Sequence, residues 1–116
     1  MNYFAWELNL LSTFYDSPHG LSNNHNYSTA LDQCILTQKA MEIDKFSKIV
    51  STKAYFCSRT KVTWTNTNKL LEDGFLGVKT GITPTAGPCL SSAVNLRSKK
   101  RNAIVKVIIV ILNSAS

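Results

Sequence analysis

Little in this sequence supports a metal centre, a disulfide framework or a membrane span. The three cysteines, Cys34, Cys57 and Cys89, stand far apart with no Cys-x-x-Cys pair. An odd number at such spacings gives neither a disulfide scaffold nor a zinc site. His19 and His25 are six residues apart, which does not place two ligands on one helical face. No metal and no cofactor is expected. The longest apolar run, residues 103–112, is broken by Lys106. It reaches about half the length that crosses a bilayer. No basic-then-apolar leader precedes the first amphipathic residues, so no signal peptide is visible and the compartment stays open. Internal repeats and low-complexity segments are also missing.

Acidic residues are in short supply, 7 against 13 lysines and arginines, for a net charge of +6. Such a surplus invites a nucleic-acid partner. Only one tight cluster exists, however, Arg97-Ser98-Lys99-Lys100-Arg101, and no aromatic residue interleaves with it to stack bases. The cluster reads as a solvated turn, and nucleic acid is not an expected partner. A basic nucleic-acid-binding protein is the less favoured alternative. With 44% hydrophobic and 17% charged residues, the 116 residues have globular composition and make at most one domain, 1–116.

The periodicity divides the chain in two. Residues 1–8 carry a helical stripe, Phe4 and Leu8, continued by Leu11 and Tyr15, and Asn9 is a left-handed residue suited to end it. Asp16-Ser17-Pro18-His19-Gly20 is turn chemistry, extended by a polar loop to Asn26. Thr29-x-x-Asp32 forms a capping box for a helix expected to bury Leu31, Cys34, Ile35 and Met41. A short helix beginning near Asp44 would bury Phe46, Ile49 and Val50. The period then changes. Residues 53–57 and 61–65 suggest a hairpin, 66–73 a polar loop or short helix, and 75–81, 88–96 and 102–112 three strands in antiparallel order. The last is apolar on both faces, so both faces should be covered by helices. The pattern is α+β: helices, then an antiparallel sheet packed with them.

One stretch points to chemistry. Gly77-Val78-Lys79-Thr80-Gly81-x-Thr83 sets a single cation at a strand. It follows Trp64-Thr65-Asn66-Thr67-Asn68-Lys69-Leu70-Leu71 and precedes Ala86-Gly87-x-Cys89-Leu90. Met1-Asn2, Ala5, Leu8, Thr13, Pro18-His19-Gly20-Leu21 and Ser28-Thr29-Ala30-x-Asp32 stand upstream. In order and spacing this resembles the serine-type D-alanyl-D-alanine carboxypeptidases, penicillin-binding peptidases with a β-lactamase/transpeptidase-like fold, and the likeness runs over nearly the whole chain. That family uses three motifs, Ser-x-x-Lys, Ser-x-Asn and Lys-Thr-Gly.

The resemblance implies acyl transfer on D-Ala-D-Ala peptides, with such peptides or β-lactams as substrate or inhibitor. It gives Lys79 and Thr80 the substrate carboxylate, Gly81 a close approach to the backbone, and the Ile82 N–H an oxyanion contact. The plainer reading of Lys79 is a lysine that merely ends a strand. His19 is expected to bond its own loop, and Asn66 and Asn68 to satisfy backbone groups.

The other two motifs have only false matches. Ser58-Arg59-Thr60-Lys61 falls in an expected hairpin turn, whereas the chemistry needs serine and lysine on one helical face. Ser22-Asn23-Asn24 falls in a loop, in the wrong order. No catalytic nucleophile is assigned. The resemblance implies an N-terminally truncated, C-terminal portion of a transpeptidase-like domain, with a non-catalytic binding module as the alternative. It also leaves the last strand an apolar edge open to self-association.

Overall fold

The computed structural model describes residues 1–100 and 102–114. Helices come first: α1 (Asn2–Glu7), α2 (Ala30–Met41) and α3 (Asp44–Val50). The hairpin β1 (Ala54–Cys57) and β2 (Val62–Thr65) follows, then a single 3₁₀ turn, Lys69–Leu71. A three-stranded sheet completes the chain: β3 (Val78–Thr83), β4 (Gly87–Ser98) and β5 (Ala103–Ile111), in the order β3-β4-β5 and antiparallel throughout. The α+β expectation holds, and so do the strand positions to within two residues except at β3, which was expected over 75–81 and instead starts at Val78 and runs on to Thr83.

Polar bonds set the rotation of the helices, and here the apolar stripes mislead. The Asn2 side chain clamps Tyr15, accepting from its N–H at 2.8 Å and donating to its carbonyl at 2.9 Å. Ala5 and Leu10 therefore turn inward, 4% and 3% exposed, while Phe4 and Leu11 of the expected stripe lie exposed. Asn9 does adopt φ 53 and ends the turn after α1.

On α2 the Thr29 hydroxyl caps the helix by accepting from the Asp32 N–H at 3.1 Å. The reciprocal half of the capping box is not made. Buried Asp32 instead accepts from the Ser12 N–H at 3.0 Å and the Thr13 hydroxyl at 2.6 Å, tying the helix to the loop after α1. With Asp32, Thr37 and Met41 inward, Leu31, one residue round the helix, is exposed, contrary to expectation. Cys34 and Ile35 are half-buried. On α3, Phe46 and Val50 are half-buried and Ile49 is exposed.

The final strand differs most from its sequence reading. Ser91 pairs with Val110 and Ala93 with Ile108, so these side chains share one face, and Thr37 of α2 bonds Ser91 there. Helix α2 packs on that face. On the other, Val105, Ile109 and Ile111 are exposed, and among the described residues β5 has a strand on one side only. Of the basic cluster, Arg97 belongs to β4 and Lys99 and Lys100 to the exposed turn after it, whereas Arg101 lies outside the described residues.

Gly77 fixes where β3 begins. At φ +83, a Cβ there would land on the Val50 carbonyl oxygen, so only glycine lets the strand pass the end of α3. Its own carbonyl accepts from the Ala93 N–H at 3.1 Å and the Ser92 hydroxyl at 3.0 Å. That bond keeps a fully buried serine satisfied in the sheet.

Candidate functional site

β3 is an edge strand among the described residues, and its side chains alternate between two cavities. Lys79, Gly81 and Thr83 line a cleft of about 550 Å³, faced by Tyr15, Pro18 and Leu21 of the loop after α1. Thr80 and Ile82 line a smaller cavity of about 260 Å³ on the opposite face. The four residues singled out by the sequence thus flank one strand edge from both sides, two on each face.

The backbone at that edge has a definite parity. Ile82 stands opposite Pro88. Proline has no N–H and cannot take part in a hydrogen-bonded antiparallel pair, so this pair is of the non-bonded kind. The N–H and C=O of Ile82 therefore point away from β4, and by alternation so do those of Thr80. The Ala93 N–H donating to Gly77 fits the same parity. Lys79 is exposed, and its Nζ donates to the Thr80 carbonyl at that open edge. A Cβ on Gly81 would stand 3.2 Å from this Nζ, so glycine leaves the ammonium room to lie over the strand.

The Thr80 hydroxyl oxygen is buried with no hydrogen-bond partner among the described residues. Behind Lys79, across the ladder, Ser91 shares a 2.7 Å hydrogen bond with buried Thr37. These two and Cys89, opposite Gly81 and lining the cleft, were missed in the sequence. The one visible signal was the pair of serines, Ser91-Ser92, inside an apolar strand. Lys79 is the only Lys, Arg, Asp or Glu lining the larger cleft among the described residues.

The remaining residues fall where scaffold roles would place them. His19 accepts from the Leu21 N–H at its Nδ1, 3.0 Å, within its own turn. Asn66 donates to the carbonyls of Val50 and Thr52, both at 3.1 Å. Asn68 accepts from the Leu70 N–H at 3.1 Å and so caps the 3₁₀ turn. Ser58 and Lys61 lie in the β1–β2 turn, where the Lys61 N–H donates to Cys57 at 2.8 Å and Lys61 has φ 56; they share no helix. Asn23 spends its side chain inside the loop, accepting from the N–H groups of His25 and Asn26. Among the described residues no three His, Cys, Asp or Glu side chains gather to hold a metal ion.

The family model of D-alanyl-D-alanine carboxypeptidase, peptidase S11, matches residues 1–116. The chain is 39% identical over 109 residues to the D-alanyl-D-alanine carboxypeptidase of Streptomyces sp. (strain K15), covering 85% of this chain and 38% of that protein. The crystal structure of the Streptomyces K15 DD-transpeptidase superposes with a TM-score of 0.82 at 37% identity, over 99% of this chain and 45% of that one. Penicillin binding protein 5 from Haemophilus influenzae superposes with a TM-score of 0.82 at 28% identity, over 97% of this chain and 32% of that one. The chain thus spans less than half the length of each of these relatives. By sequence and by fold, it belongs to the D-alanyl-D-alanine carboxypeptidase family, with the β-lactamase/transpeptidase-like architecture.

Proposed function

We propose that this chain forms the carboxylate-holding wall of a serine-type D-Ala-D-Ala carboxypeptidase site, which acts by acyl transfer on D-Ala-D-Ala peptides and takes β-lactams in the same place. The observation that carries the reading is the open edge of β3, flanked on one face by Lys79, the only charged side chain of the larger cleft among the described residues, and on the other by the buried, unpartnered Thr80 hydroxyl. An extended peptide docks on such an edge as an added strand. Its terminal carboxylate accepts from the Lys79 ammonium and the Thr80 hydroxyl, and Gly81 admits its backbone closely. The Ile82 N–H, turned outward by its pairing with Pro88, is the donor for the oxyanion; such a donor is worth about 3 kcal/mol in a transition state.

Lys79 must leave the Thr80 carbonyl when a ligand carboxylate arrives. That exchange replaces a neutral acceptor by an anionic one and favours the ligand.

A second reading is a binding module that retains the cradle without the nucleophile. Mass spectrometry of the intact chain after incubation with a penicillin separates the roles. Non-covalent binding with no mass increase fits the wall assigned here. A stoichiometric adduct that vanishes in Ser58→Ala would overturn it.

Two partner readings accompany the site. The basic turn is a solubilising loop and no nucleic acid is assigned to it. The exposed β5 edge offers self-association to the isolated chain.

A further inference from the structure

Asn68 and Thr80 carry the two buried side-chain polar atoms without a hydrogen-bond partner among the described residues, Nδ2 and Oγ1. Both residues line the cavity of about 260 Å³ on the face of β3 opposite Lys79, which Ile82, Leu90 and Ile111 line with apolar groups and Thr67, Lys69 and Ser114 with polar ones. Buried polar groups nearly always find a partner, so two in one cavity call for a common explanation.

The orientation of Asn68 is fixed. Its Oδ1 accepts from the Leu70 N–H at 3.1 Å, and its own N–H donates to the Asn66 Oδ1 at 2.9 Å. Flipping the amide would set NH₂ against the Leu70 N–H, donor against donor, so Nδ2 is the atom left for the cavity. Asn68 is only 6% exposed, so bulk water does not satisfy that group. An amide NH₂ can only donate. A hydroxyl has one proton to give and two lone pairs to fill. If the Thr80 proton goes outward to a ligand carboxylate, a donor behind the oxygen completes it.

We propose that Asn68 is a positioning residue for Thr80: a single water in this cavity accepts from Asn68 Nδ2 and donates to Thr80 Oγ1, committing the Thr80 proton to an anion at the β3 edge. The cavity is polar at this end and several times the volume of a water. The inference rests on the carboxylate-binding reading above. It adds the approach loop to the site, because Asn68 is held by Asn66, which is tied to Val50 and Thr52 beside α3.

The test is titration of the chain with an N-acetylated peptide ending in D-Ala-D-Ala and with its C-terminal amide. Asn68→Ser keeps a helix cap but removes the NH₂ donor. It should lose about tenfold in affinity for the acid while its affinity for the amide stays unchanged. Thr80→Val should lose at least as much, Thr80→Ser should restore the preference, and Asn68→Ser should cost nothing further in the Thr80→Val background. Full preference for the acid in Asn68→Ser, or a loss that adds to that of Thr80→Val, overturns the proposal. A wild-type chain that binds acid and amide alike removes the carboxylate reading itself, and the positioning role with it.

Discussion

Ile82 lies directly opposite Pro88 in the β3–β4 ladder. A residue without an N–H thereby decides which way the edge strand presents its backbone. Amides of Thr80 and Ile82 should exchange with solvent quickly, and those of Lys79 and Gly81, turned toward β4, more slowly. Hydrogen exchange read by NMR checks the alternation. Equal protection along β3 would mean that another strand occupies this edge.

Gly77 is a second fixed point. Gly77→Ala forces a left-handed backbone on a side chain whose Cβ meets the Val50 carbonyl. The loss should be on the order of 3 kcal/mol or complete unfolding. Gly74→Ala, with φ +85 but open space around it, should cost distinctly less in the same urea titration.

The hairpin turn alters one thiol. The Thr60 side chain, with backbone groups of Thr60 and Arg59, holds the Cys57 thiol below its ordinary pKa. More thiolate is then present near neutrality, and thiolate is the reactive form. Alkylation of Cys57 at pH 7.5, followed by peptide mass mapping, should slow several-fold in Thr60→Val. The folded pKa lies below the unfolded one, so these bonds stabilise the hairpin above the unfolded pKa. That contribution fades as pH falls through the folded value.

Strands and turns were legible because they follow short-range rules: alternation, β-branched residues and turn chemistry at residues 16–20. The inward faces of the helices were not. Asn2 clamping Tyr15 and Asp32 clamping Thr13 rotate α1 and α2 away from their apolar stripes, and contacts 13 and 19 residues apart leave no periodic trace. The same holds in the site. The Lys-Thr-Gly run was visible through its neighbours, but the Thr37–Ser91 bond joins residues 54 apart. The unpaired Asn68 amide becomes visible only once its cavity is built.

The β5 edge has a consequence for the isolated chain. Ile104 is 74% exposed and Lys106 alone carries charge along the strand. Light scattering on a sizing column should show oligomers at micromolar concentration. Ile104→Lys should shift them toward monomer. Ile108→Lys is the poorer remedy, since Ile108 sits opposite fully buried Ala93 on the α2 face. A clean monomer with an unmodified edge would remove the self-association reading.

The most direct test of the account asks whether one cation among many recognises a terminal carboxylate. Affinity for an acetylated D-Ala-D-Ala peptide, relative to its C-terminal amide, should be measured for the chain and for Lys79→Ala, Lys99→Ala and Lys100→Ala. The account predicts that the wild-type chain prefers the acid, that Lys79→Ala loses this preference by tenfold or more, about 1.5 to 3 kcal/mol, and that the two turn variants keep it. Equal losses in all three lysine variants would contradict it, because binding would then follow net charge and not the β3 edge.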